Sequence, residues 1–75
     1  MFLYLPVENE LHSPYIGTYK AFGLRVLRTN RDHDEEIMLL PDVSTDFSFV
    51  LRLAGILTQK QLDPIHLLDV IADSI

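Results

Sequence analysis

Asp42-Val43-Ser44-Thr45-Asp46-Phe47 and, further on, Asp63-Pro64-Ile65-His66-Leu67-Leu68-Asp69-Val70-Ile71 decide the fold, because the hydrophobic period changes there. Before residue 42 apolar side chains tend to alternate; after it they recur at helical spacing. Ser44 is placed as an N-cap, and Asp46 complements the positive end of the helix dipole. On a wheel starting at Phe47, the residues Phe49, Val50, Leu51, Leu53, Ala54, Ile56 and Leu57 span roughly 220°, against the ~100° that a helix packed on one side requires. Ser48, Arg52, Gly55 and Gln59 fill the remainder. Such a helix packs on two sides. Thr58 to Leu62 breaks it. Asp63-Pro64 then opens a second helix as N-cap and N1. Ile65, Leu67, Leu68, Val70, Ile71, Ala72 and Ile75 surround most of that wheel, and His66, Asp69 and Asp73 share its polar stripe. Its last turn, uncapped, is expected to fray.

Working back toward the start, residues 35–40 form a strand ending at Pro41, and the polar stretch Thr29 to Asp34 suits a hairpin turn. Residues 16–28 form a long strand in which Phe22, Leu24 and Val26 share one face. Gly23 inside it marks a bulge or a close backbone contact. Residues 2–8 form a first strand, with Pro6 indicating an edge position because it has no N–H for a ladder. Asn9 to Pro14 reads as a turn or loop. Short connections make an antiparallel meander.

Seventy-five residues, 48% hydrophobic and 23% charged with no Cys, make one globular domain, residues 1–75. The absence of Cys excludes disulfides, thiol nucleophiles and Cys-based zinc sites. A chain this short has little interior, so stability rests on packing or on assembly. The formal net charge of −5 disfavours nucleic acid. Met1-Phe2-Leu3-Tyr4-Leu5 has no basic segment before it and meets Pro6, Glu8 and Glu10, so it does not read as a signal peptide. No run approaches the ~18 apolar residues of a membrane span. The expected compartment is the cytoplasm.

Three blocks in order, Tyr19-x-x-Phe22-Gly23-Leu24, Asp42-Val43-Ser44-Thr45-Asp46 and Leu62-x-Pro64-Ile65-His66-Leu67-x-Asp69-Val70-Ile71-x-Asp73, resemble a family of small uncharacterised proteins of anaerobic Gram-positive bacteria, a domain of unknown function. The resemblance covers residues 15–75 and implies strands followed by two helices. Members often carry a Cys-Asn pair where this chain has Ile56-Leu57-Thr58, so no role of such a cysteine carries over. The resemblance implies no activity, substrate or cofactor.

Few constellations suggest chemistry. His66, Asp69 and Asp73, spaced i, i+3, i+7, could offer a nitrogen and oxygens to a divalent metal with help from Asp42 or Asp46, but a solvated stripe is the better reading. Asp32-His33-Asp34-Glu35-Glu36 lacks the glycine and spacing of a calcium loop. Lys20, Arg25, Arg28 and Arg31, interleaved with Tyr19 and Phe22, could stack single-stranded bases. Strand parity sets Lys20 and Arg28 against Arg25 unless Gly23 resets the register. Ser13, Ser44, Ser48 and Ser74 sit in no nucleophile motif, and no Gly-rich phosphate loop is present.

The sequence therefore predicts an α+β fold: a three-stranded antiparallel β-meander followed by a two-helix hairpin packed on one face of the sheet. The expected function is a non-enzymatic protein–protein interaction module without cofactor, metal or small-molecule substrate. Its partner is a second copy, giving a homodimer through the C-terminal helices, or another protein. Phe49, Leu53 and Ile56 would centre the interface, Leu67 and Val70 extend it, and Arg52, Asp69 and Asp73 form its rim. On that reading Leu53→Asp would leave a folded monomer; if Leu53 is instead core, the same change would unfold the chain. The alternative is a nucleic-acid-associated regulator using residues 19–31.

Overall fold

Strands β1 (Phe2–Ser13), β2 (Gly17–Thr29) and β3 (Asp34–Ser44) form one antiparallel sheet in sequence order, and helices α1 (Phe47–Lys60) and α2 (Leu67–Ser74) follow. The computed structural model describes residues 1–74; Ile75, expected on the apolar arc of the second helix and in its fraying turn, lies outside the described residues. The architecture is the expected α+β meander with helices on one face. Tyr4, Leu24 and Val26 of that face pack with Val50, Leu53, Ala54, Leu57 and Leu67 of the helical segment into the buried core. Burying each such aliphatic side chain contributes about 1.5–3 kcal/mol.

The first hairpin is longer than the sequence indicated. Residues 9–13, read as a turn, continue β1, and pairing runs without interruption from Phe2↔Arg28 to Ser13↔Gly17. The polar side chains Glu8, Glu10 and His12 lie on alternate positions of this exposed extension, a strand pattern masked by its hydrophilicity. The reversal is made by residues 14–16 and by Gly17, whose φ of 79° suits glycine.

β3 also outruns its predicted end. Phe22 pairs with Ser44 and Leu24 with Leu40, so Pro41, Asp42 and Val43 together face Gly23. Pro41 therefore lies within an irregular stretch of an edge strand and does not end it. A Cβ on Gly23 would collide with the Leu40 carbonyl oxygen and lie 2.7 Å from the Pro41 carbonyl carbon. The glycine thus serves close backbone approach, and the extra residues belong to β3. Asn9 Nδ2 donates to the Pro41 carbonyl at 3.1 Å and the Tyr19 hydroxyl to Asp42 Oδ2 at 3.2 Å, pinning the bulged segment. A second irregularity, at Ile37, falls between the pairs Val26↔Met38 and Leu27↔Glu36.

Because β3 continues to Ser44, the cap of α1 moves. Asp46, not Ser44, is the N-cap: its Oδ1 accepts from the Phe49 N–H at 3.3 Å, while Ser44 Oγ accepts from the Asp46 N–H at 3.0 Å. α1 also continues through Thr58 to Lys60 instead of breaking there. It stops at Gln61, which is left-handed at φ 51°. The Leu62 N–H reaches the Leu57 carbonyl and the Gln61 N–H the Thr58 carbonyl, both at 3.2 Å, a Schellman ending. Asp63 and Pro64 act as expected, Asp63 Oδ1 accepting from the Ile65 N–H at 3.1 Å. They open a single 3₁₀ turn, Pro64–His66, which leads into α2.

Pro6 is on an edge strand as expected, and the start of that edge is sealed. The Gln61 side-chain amide accepts from the Phe2 N–H and donates to the Phe2 carbonyl, each at 2.8 Å. Thr58 Oγ1 accepts from the Tyr4 N–H at 2.9 Å and donates to the Tyr4 carbonyl at 3.2 Å. The helix end thus supplies the partners a further strand would have supplied.

Gly23→Ala should lower stability by about 3 kcal/mol, since the methyl group meets backbone that cannot yield cheaply; a lower urea midpoint with an unchanged slope checks this. Tyr4 generates a second expectation. Its ring is 2% exposed and its hydroxyl donates to the Leu62 carbonyl at 2.6 Å. Burial, and then the charge of Asp63, push its phenol above its ordinary 10. A raised pKa means the folded state holds the proton more tightly. The stability that Tyr4 contributes in this way is full below pH 10 and is lost as pH rises through the folded-state value. Tyr4→Phe should cost about 1 kcal/mol at neutral pH. It should also flatten the alkaline decline attributable to Tyr4, measured by urea unfolding from about pH 7 to 11.

Candidate functional site

α1 offers two kinds of surface. Val50, Leu53, Ala54 and Leu57 face inward, whereas Phe47, Leu51 and Ile56 remain about half exposed. Phe47 tilts against Phe22 with ring centroids 5.1 Å apart, which anchors the first turn to the sheet. On one flank Phe49, Arg52, Leu53 and Ile56, spaced i, i+3, i+4, i+7, line an open groove of about 300 Å³. Its floor is apolar and its one charged group is the Arg52 guanidinium, whose Nε donates to the Ser48 carbonyl at 3.4 Å.

The five residues expected at an interface divide. Phe49, Leu53 and Ile56 come together in this groove. Leu53 is nonetheless only 8% exposed and belongs to the core, so it shows an edge to the groove while supporting the fold. Leu53→Asp would therefore bury an unpaired charge and unfold the chain, not release a folded monomer. Leu67 is completely buried, and Val70 is half-buried against the same core. These two fasten α2 and are not part of the groove. The large apolar residues that α2 and its leading turn do expose are Ile65, at 78%, and Leu68, at 65%. Their i, i+3 spacing was visible in the sequence, but the wheel did not show which arc faced the core.

The remaining constellations stay apart or are engaged elsewhere. Among the described residues no three His, Asp or Glu side chains converge as metal ligands, so His66, Asp69 and Asp73 do not assemble with Asp42 or Asp46. The 32–36 segment is exposed throughout. Along β2 the pairing with β1 has no shift, so parity holds: Lys20 and Arg28 point to one face and Arg25 to the other. Lys20 pairs with Glu8 at 3.3 Å and Arg25 with Glu36 at 2.7 Å. The four cations of residues 20–31 form no single basic face.

The sheet face away from the helices carries Leu3, Leu5 and Val7 beside Leu27, Arg25 and Gly23. Leu27 is buried there, and Leu3, Leu5 and Val7 are half-buried. No helix among the described residues is long and apolar enough to cross a membrane.

Comparison with curated proteins gave no match, and neither did comparison with solved structures. A family model does match, and its span takes in β1, which lies before the residues that carried the sequence resemblance. The chain belongs, over residues 2–75, to a family of unknown function, DUF6514.

Proposed function

We propose that this protein is a small, non-enzymatic protein–protein interaction module of the cytoplasm that forms a homodimer through its helical segment. The observation that carries the reading is the groove of Phe49, Arg52, Leu53 and Ile56: apolar, open, and built on a helix fixed by caps at both ends. Helices with an apolar stripe and one charged residue commonly serve as docking surfaces. The groove itself is lined by Phe49, Arg52, Leu53 and Ile56, none of which is a nucleophile or a general base of the usual kind. The division of the β2 cations between two faces favours protein over nucleic acid as the partner.

Ile56 gives the cleanest probe because it is 49% exposed and outside the core cluster. Ile56→Asp should keep the circular dichroism spectrum and urea midpoint of the parent while weakening self-association at least about tenfold, equivalent to ~1.4 kcal/mol. Sedimentation equilibrium over a hundredfold dilution range measures both proteins. A parent chain that is monomeric at every concentration overturns the homodimer.

A further inference from the structure

We infer that the groove on α1 is filled by the outer stripe of α2 and its leading turn from a second copy of the chain. The inference rests on the homodimer reading above and specifies its contacts. Ile65, Leu68, Asp69 and Ala72 carry the same i, i+3, i+4, i+7 spacing as the groove residues, and all four are exposed. Two helical stripes of this spacing are each about two turns long and can lie along one another at ~8–10 Å between axes.

Run antiparallel, the stripes match position by position. Phe49 meets Ala72, the largest side chain against the smallest. Arg52 meets Asp69, Leu53 meets Leu68, and Ile56 meets Ile65. A parallel alignment sets Arg52 against Leu68 and Asp69 against Leu53, leaving both charges against apolar surface.

Charge supports the choice of a second copy. The two ion pairs among the described residues are Lys20–Glu8 and Arg25–Glu36, so Arg52 and Asp69 each enter the interface without an acid or base already bound. A chain of net charge −5 repels its copy. The Arg52–Asp69 contact offsets that repulsion locally, and a two-fold axis makes it twice. Isologous symmetry also sends the exposed Ile65 and Leu68 of each copy into the groove of the other, so both exposed stripes are covered in one closed dimer.

The test uses Arg52→Glu and Asp69→Lys in the full chain. Both side chains are exposed, so folding should be retained, with circular dichroism as the check. Each variant alone should self-associate about tenfold or more weakly than the parent, because each then places like charges in contact twice. Mixing the two variants in equal amounts should restore association to within about threefold of the parent. In the mixed dimer the introduced glutamate of one copy meets the introduced lysine of the other, and the native Arg52–Asp69 contact forms at the symmetry-related position. Parental association that neither variant changes, while Ile56→Asp still weakens it, overturns this pairing and leaves the groove reading standing. Weakened variants that do not recover on mixing also overturn it. A monomeric parent overturns the homodimer itself.

Discussion

Tyr4 fastens the first strand to the end of α1, and the placement of both helices follows from that attachment. Its N–H and carbonyl are both bonded to the Thr58 hydroxyl, and its own hydroxyl reaches the Leu62 carbonyl past the end of the helix. Gln61 repeats the arrangement on Phe2. These contacts join residues between 54 and 59 positions apart, so they close the chain on itself. They also solve two problems together. The sheet has the start of its open edge covered at Phe2 and Tyr4, and the last turn of the helix gains fixed partners. Pro6, with no N–H to offer, and the charges of Glu8 and Glu10 protect the remainder of the same edge.

With α1 held over β1, the curvature of the sheet decides how well the rest is covered. Three residues of β3 accommodate the space beside Gly23, where no side chain stands in the way. Bulges of this kind bend the strand and increase twist. The bend carries Val43 and Leu40 toward the core cluster and delivers Asp46 to the place where it caps the helix. A single missing methyl group in β2 therefore influences where α1 begins.

The helical segment has more apolar surface than one small sheet can cover. α1 commits Val50, Leu53, Ala54 and Leu57 to the core, and α2 commits Leu67 with Val70 and Ile71 beside it. Beyond the half-exposed Phe47 and Leu51, what remains includes a groove with a cation on α1 and an exposed stripe with an anion on α2 and its leading turn. Scattered exposed leucines are ordinary on protein surfaces, whereas two stripes of equal spacing and opposite charge suit the dimer proposed above. That match is why the helices, and not the outer sheet face with its half-buried leucines, form the stronger candidate surface.

The sequence by itself determined the order and type of the elements. The change of hydrophobic period, the Asp63-Pro64 start, Pro6 on an edge and Gly23 as a site of close approach are all local signals, carried by backbone chemistry that acts within a few residues. It did not determine the true ends of β1 and β3, because solvent-facing polar residues and a proline in a bulge look like loop. It placed the cap at Ser44 for the same reason: which residue caps a helix depends on where the preceding strand stops. The candidate site was half legible. A helical wheel reports how wide an apolar arc is but not which part of it meets the sheet. Leu53 and Leu67 therefore read as surface until contacts from Tyr4, Leu24 and Val26 claimed them, and nothing on the wheel set Ile65 and Leu68 apart from core. Only the tertiary structure could decide that, since the direction of a helix face is set by hydrogen bonds and packing between residues distant in the chain.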